Sequence, residues 1–206
     1  MMKKVSLIFA AFWSLNTFGQ VLIGDTLCIQ IGGFEIIYSE ELMQPLSVYY
    51  VVTCPQESNL DCDSIGWKVS LADELIGRAV NTSKSKHYYK NVWDKGHLIP
   101  VASVDCTCEN KKSTYTYLNC ALQHEDLNNG LWRQLENRER EIAMSIDDEV
   151  VVEIQVIFHK DSLPISRNGP TIPCAFRKTI VSGMDTISYL LPNISLLGQS
   201  LRDFKD

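Results

Sequence analysis

Trp93-Asp94-Lys95-Gly96-His97-Leu98-Ile99-Pro100 and, further along, Leu127-Asn128-Asn129-Gly130-Leu131-Trp132-Arg133-Gln134-Leu135-Glu136 are the two stretches on which the reading of this chain turns. The first reads as a strand that ends in a turn, with His97 at its tip. The second opens with amide side chains and continues as a helix to about Ser145, its apolar Leu131, Trp132, Leu135, Ile142 and Ala143 falling on one face. A histidine close to an amide-bearing helix start suits a general base facing one hard cation. Imidazole titrates near neutrality and can take a proton from water. An Asn amide oxygen is a ligand that Mg²⁺ accepts while it keeps several waters.

Outward from these stretches the chain alternates strands and loops. Phe34–Tyr38 and Leu46–Thr53 are short β-like runs, the latter rich in branched and aromatic residues. Pro55 to Gly66 is a loop built from turn formers. Ser113–Leu118, with alternating Thr and Tyr, is expected to be the second strand of the site, and Val150–Phe158 an apolar strand. Ala175–Val181 and Thr186–Leu191 follow as strands of the same sheet. β-rich, one central helix, β-rich is the pattern of an α+β fold with a mainly antiparallel sheet. Glu139 falls inside the apolar stripe of the helix. It is read as the stripe's edge, the alternative being a buried acid that needs a partner.

Five ordered segments carry a resemblance. Trp93 to Pro100 is similar to the Asp-Arg-Gly-His signature of the DNA/RNA non-specific endonucleases, which are ββα-metal nucleases. Tyr117-Leu118-Asn119-Cys120-Ala121-Leu122-Gln123 resembles that family's Asn-x-x-Pro-Gln segment, and Leu127 to Glu136 its Leu-Asn-x-Gly-x-Trp-x-x-Leu-Glu helix. Ile172-Pro173-Cys174-Ala175-Phe176-Arg177-Lys178 resembles a late Val-Pro-x-x-Phe-x-Lys strand, and Leu191-Pro192-Asn193 a closing Met-Pro-Asn. The similarity spans roughly Tyr38 to Asn193. It implies a ββα-metal nuclease fold in which a central helix carries the metal. It also implies cleavage of DNA and RNA with little base preference, leaving 5′-phosphate and 3′-hydroxyl ends.

The resemblance assigns roles residue by residue. His97 is the general base and Asn128 the ligand of Mg²⁺, or of Mn²⁺. Glu136 lies eight residues after Asn128, about 12 Å along a straight helix and about 80° around it, too far for both to touch one small ion. Glu136 is therefore expected to hold a water of the ion's hydration shell. Arg140, one turn further, pairs with Glu136 or touches phosphate. Lys95 stands where the family has Arg, a mobile point charge in place of a rigid fork. Asp94 is expected to orient the His97 loop, Asn119 to support the site, and Arg78 to meet substrate. Leu122 replaces the family's Pro. A catalytically degenerate relative that binds nucleic acid or a protein partner is the alternative, and a disulfide-rich interaction domain a third reading.

Lys3 and Lys4 followed by the apolar Val5–Leu15 read as a secretory signal peptide, with cleavage near Gly19 or Gln20. Residues 1–20 are thus a leader and 21–206 one soluble nuclease domain, periplasmic or secreted, with no membrane association in the mature form. All seven cysteines fall in that domain, and export makes disulfides plausible. Cys54 with Cys62 is the first expected pair. A zinc site from Cys106, Cys108, Cys120 and His124 is a weaker rival, because Cys-x-Cys is not a standard zinc spacing. The formal net charge is −6, and loss of Lys3 and Lys4 takes it to −8. That is the wrong sign for binding nucleic acid by bulk charge. Residues 78–95 reverse it locally, with Arg78, Lys84, Lys86, Lys90 and Lys95 against Asp94 alone.

Overall fold

Apolar residues alternate along most of the strands, and the sheet they build decides where the site sits. A computed structural model describes residues 20–23, 26–31, 33–56, 60–62, 65–67, 73–74 and 76–206. Seven strands form one antiparallel sheet: β1 (Gln20–Ile23), β2 (Thr26–Ile31), β3 (Phe34–Ser39), β4 (Gln44–Val51), β7 (Val150–Ile157), β8 (Ala175–Ser182) and β9 (Asp185–Pro192), in that spatial order. Between β4 and β7 in the chain lies a separate antiparallel hairpin of β5 (Trp93–His97) and β6 (Cys120–His124). The fold is α+β with a mainly antiparallel sheet, as the sequence pattern predicts. Residues 1–19 of the expected signal peptide lie outside the described residues, and Gln20, its expected last residue, begins β1. No helix among the described residues is long and apolar enough to cross a membrane.

The second strand of the site is β6, not Ser113–Leu118. The Thr/Tyr alternation there is satisfied locally. Thr107 caps helix α1 (Cys108–Thr114), accepting from the Asn110 amide. Thr114 Oγ1 donates back to the Lys111 carbonyl, and Thr116 Oγ1 accepts from Leu118 N at the start of a 3₁₀ turn over Tyr117–Asn119. Threonine hydroxyls that bond their own backbone compete with strand formation. The following run, Cys120-Ala121-Leu122-Gln123, is buried throughout and takes the ladder position instead.

The expected single helix from Asn128 is also broken. Asn128–Trp132 forms a π turn, with Gly130 at φ −103°, ψ −109°, before α2 (Arg133–Ser145) begins. The straight-helix spacing between Asn128 and Glu136 therefore does not apply. α2 packs on β7 and β8, burying Leu135 and Ile142, each worth ~1.5–3 kcal/mol. Trp132 packs against Phe176 of β8 with ring centroids 5.5 Å apart.

Glu139 is the buried acid, not the stripe's edge. Its Oε1 accepts from Tyr50 Oη of β4 at 2.8 Å and from Ser103 Oγ at 2.6 Å, and its Oε2 meets Lys178 Nζ of β8. Lys178 and Glu139 are both fully enclosed. The Lys178 ammonium also lies 5.0 Å from the Trp132 ring centroid. A buried charge persists only when paired and hydrogen-bonded, and this cluster fixes α2 across the centre of the sheet.

The bridges are Cys54–Cys106 and Cys62–Cys108, in place of the expected Cys54–Cys62 pair. Both tie the segment after β4 to the segment that enters α1. Thr53 N and Cys54 N donate to the Ser103 carbonyl alongside. Cys28, Cys120 and Cys174 are unbridged. With Cys106 and Cys108 both oxidised, the zinc reading falls.

Candidate active site

Strand β5 carries Asp94, Lys95, Gly96 and His97, and β6 faces them in register, His97 opposite Cys120 and Asp94 opposite Gln123. Gly96 is required by close approach. A Cβ there would lie 2.7 Å from Gln123 Cβ and 2.3 Å from its Oε1. Gln123 is itself fully buried. The hairpin is held on the main sheet by side chains that bond its backbone. Gln44 Oε1 accepts from Leu122 N. Asn193 Nδ2 donates to the Leu122 and Pro173 carbonyls, and its Oδ1 accepts from His124 N. The closing Leu-Pro-Asn is thus a structural staple.

Asn119 is another. Its Oδ1 accepts from Ile99 N at 2.8 Å, while Nδ2 donates to the Ile99 and Thr114 carbonyls at 3.0 Å each. Two of these bonds go to Ile99 in the turn that follows His97, and the third ties that turn to the end of α1. The Trp132 indole N–H donates to the His97 carbonyl at 3.2 Å, joining the strand tip to the start of α2.

Asp94 reaches across to the helix start. Its Oδ2 accepts from Asn128 Nδ2 at 3.0 Å and Asn129 Nδ2 at 2.8 Å, and Asn129 also donates to the Glu125 carbonyl. With its amide nitrogen held by a carboxylate, Asn128 turns Oδ1 away from that carboxylate. Asp94, expected to orient the His97 loop, thus also bonds the amides at the helix start. A half-buried amide oxygen held in one orientation fits a hard divalent cation, which prefers oxygen. Asn128 would hold such an ion, with Glu136 further along, in the first turn of α2. No cluster of three or more His, Cys, Asp or Glu among the described residues forms a cage for a metal, and an ion anchored by one amide and waters does not need one.

His97 sits among aromatic rings. Trp67 lies 4.5 Å and Tyr115 5.0 Å from it, centroid to centroid, and Trp67 also meets Tyr115 and Tyr117. Its Nε2 is enclosed without a hydrogen-bond partner among the described residues. Burial pulls the imidazole down to a pKa of about 4. His97 is therefore neutral at physiological pH. Glu136 moves the other way, to about 7, chiefly by burial. Lys178 opposes that rise, Glu139 adds to it, and Arg140 and the Trp132 indole oppose it.

Lys95 Nζ lies 3.4 Å from Ser85 Oγ and within 5.6 Å of the Trp67 ring and 5.8 Å of Tyr117. Lys95 and His97, two apart on β5, both meet Trp67. Arg140 donates to Asn137 Oδ1 and acts on Glu136 through its charge. Arg78, expected to meet substrate, gives its guanidinium to Glu40 and to the Ala79 carbonyl. Trp67 and Tyr115 went unrecognised in the sequence. Each lies beyond a bridged cysteine, Cys62 and Cys108, and the bridge joins the two segments.

The strand–hairpin–helix arrangement has a counterpart among known proteins. The model of the DNA/RNA non-specific endonucleases matches residues 22–204. The chain belongs to the DNA/RNA non-specific endonuclease family. Among solved structures it is similar to EndoG in its complex with EndoGI, described as revealing the mechanism of EndoG inhibition. The TM-score is 0.75 at 18% identity, covering 87% of this chain and 79% of that one. At that identity the likeness speaks for the fold. No curated protein matches the chain. In this chain the Asp-Lys-Gly-His stretch lies in β5, and Asp94 bonds the amides of Asn128 and Asn129 in the Leu-Asn-Asn-Gly stretch.

Proposed function

We propose that this endonuclease-family protein is an exported, metal-dependent nuclease that hydrolyses phosphodiester bonds of DNA and RNA with little base preference. The observation that carries the reading is the Asp94–Asn128 contact. One strand holds both the base, His97, and the carboxylate that aims the amide of Asn128. Neutral His97 takes the proton of the attacking water as the new P–O bond forms. The 3′-oxygen leaves on the opposite side, giving 5′-phosphate and 3′-hydroxyl ends. Lys95 supplies positive charge beside the phosphate. A divalent ion held by Asn128 Oδ1 would supply Lewis-acid charge to the phosphate oxygens, and Mg²⁺ or Mn²⁺ suits that oxygen donor. Glu136, with Arg140 one turn on, would order water around the ion. The apolar leader at residues 5–15 and the two bridges support export.

The test is cleavage of supercoiled plasmid and of single-stranded RNA by the mature protein, with Mg²⁺ or with EDTA, beside His97→Ala. Cleavage of both that needs the metal and falls by roughly 10²–10⁴-fold in the variant is expected. A folded wild type that cuts neither substrate with Mg²⁺ or Mn²⁺ would favour the degenerate binding relative.

A further inference from the structure

The segment just before β5 is unlike the rest of this acidic chain. From Leu75 to Trp93 there is no Asp or Glu, while Arg78, Lys84, Lys86 and Lys90 lie within it. Lys84, Lys86, Tyr89 and Lys90 are all exposed. Tyr89 leaves 69% of its surface in solvent, and the Lys90 ammonium lies 5.1 Å from its ring centroid. Lys90 holds φ at +56°, a left-handed conformation that an L side chain adopts at a cost.

The segment is also rigidly seated. His87 Nδ1 accepts from Lys84 N, closing a 3₁₀ turn over Ser85–Tyr88. Asn91 Nδ2 donates to the His87 carbonyl at 3.0 Å and, more weakly, to that of Tyr89, and its Oδ1 accepts from Trp93 N. Tyr88 Oη accepts from the Cys120 thiol of β6 and bonds Ser83 Oγ. Ser85 Oγ bonds Tyr117 Oη and accepts from Lys95 Nζ. The turn that presents Tyr89 is therefore fastened to the strand that carries Lys95 and His97.

We infer that Tyr89 and Lys90, flanked by Lys84 and Lys86, form a subsite of the candidate active site for an unpaired nucleobase of the substrate strand. The base stacks on the Tyr89 ring while the neighbouring phosphates meet the lysines. This inference rests on the nuclease reading and names the substrate form it favours. The hydrogen-bonded turn sets where the exposed ring stands, and every base offers a π-face, so the contact is blind to sequence. Base-paired DNA keeps its bases in the stack and cannot use it.

The experiment compares wild type, Tyr89→Ala and Tyr89→Phe on a single-stranded oligonucleotide and on its duplex, with Mg²⁺. Tyr89→Ala is expected to raise KM for the single strand by about tenfold at unchanged kcat, and to change the duplex KM less than about twofold. Tyr89→Phe keeps the ring and should behave as wild type. A second arm reads binding alone in EDTA, by anisotropy of a labelled oligothymidylate and of an abasic strand of equal length. Wild type should bind the base-bearing strand about tenfold tighter, and Tyr89→Ala should bind the two equally. Equal loss on single strand and duplex, or equal binding of base-bearing and abasic strands by wild type, overturns the subsite. So does competition by polyglutamate as effective as by oligothymidylate, which would make the segment a general anion surface. Absence of cleavage by wild type counts against the nuclease reading alone, since the binding arm still decides the subsite.

Discussion

Asp94 holds the side-chain amide of Asn128, Nδ2 to Oδ2 at 3.0 Å, across the gap between a strand tip and a helix start. An amide has two faces that differ only by which atom points where, and a carboxylate can bond only the nitrogen. This one contact therefore decides that Asn128 offers oxygen, not nitrogen, to whatever binds beside it.

Asp94→Asn should accordingly weaken metal binding without unfolding the protein. Loss of a residue that orients a metal ligand commonly costs about 10–100-fold in affinity. Titration of Mn²⁺ followed by electron paramagnetic resonance should show that loss, with thermal melting close to wild type in EDTA. Unchanged Mn²⁺ affinity would remove the orienting role.

Gly96→Ala should destabilise the hairpin by ~1–3 kcal/mol, the usual range for overpacking. The new methyl would press on the Gln123 side chain, whose Cβ lies 2.7 Å from the ideal position. Adding Gln123→Gly should recover part of the loss in urea denaturation. Additive losses in the double variant would mean that the two residues do not share the constraint.

The Glu139–Lys178 pair gives a stability prediction of larger size. Glu139→Gln leaves the Lys178 ammonium enclosed without a countercharge and should cost about 3–5 kcal/mol. Replacing both, Glu139→Leu with Lys178→Met, should recover part of it, because an apolar pair has no charge to desolvate while the Tyr50 and Ser103 hydroxyls lose their acceptor. Two large and additive losses in chemical denaturation would contradict this.

His97 and Glu136 give opposite pH dependences in the metal-free protein. The fold lowers His97 from an ordinary value of 6.5 to about 4. The unfolded chain then binds that proton more readily, so the group's contribution rises with pH up to about 6.5 and is lost as pH falls toward 4. Glu136 is raised from 4.5 to about 7, so the folded chain binds its proton more readily and stability falls as pH rises across that range. The two slopes oppose each other between about pH 4.5 and 6.5. His97→Ala should expose the falling slope and Glu136→Gln the rising one, each about 3 kcal/mol in full. Urea denaturation in EDTA at several pH values measures both, and variant curves parallel to wild type would show that neither group is held away from its ordinary value.

Elements whose signal is local are legible in the residues themselves. The runs at Phe34, Leu46, Val150, Ala175 and Thr186 become strands close to their expected limits, because branched and alternating residues fix a strand face wherever they occur. The strand tip at His97 and the amides at Asn128 were legible because their order along the chain carries the family's pattern. Tertiary structure alone decided the rest. Ser113–Leu118 has strand composition, yet its threonines bond their own backbone and Cys120–His124 takes the ladder. Glu139 lies in an apolar stripe, and only the sheet brings Tyr50, Ser103 and Lys178 close enough to make its burial tolerable. Cys54 and Cys62 are neighbours in sequence, but the fold sets each beside a cysteine far along the chain. The bridged segments also bear Trp67 and Tyr115, whose rings meet His97. Periodicity reports which face a residue takes. It does not report which distant side chain waits there, and a buried charge, a disulfide and the basicity of an imidazole all depend on that second fact.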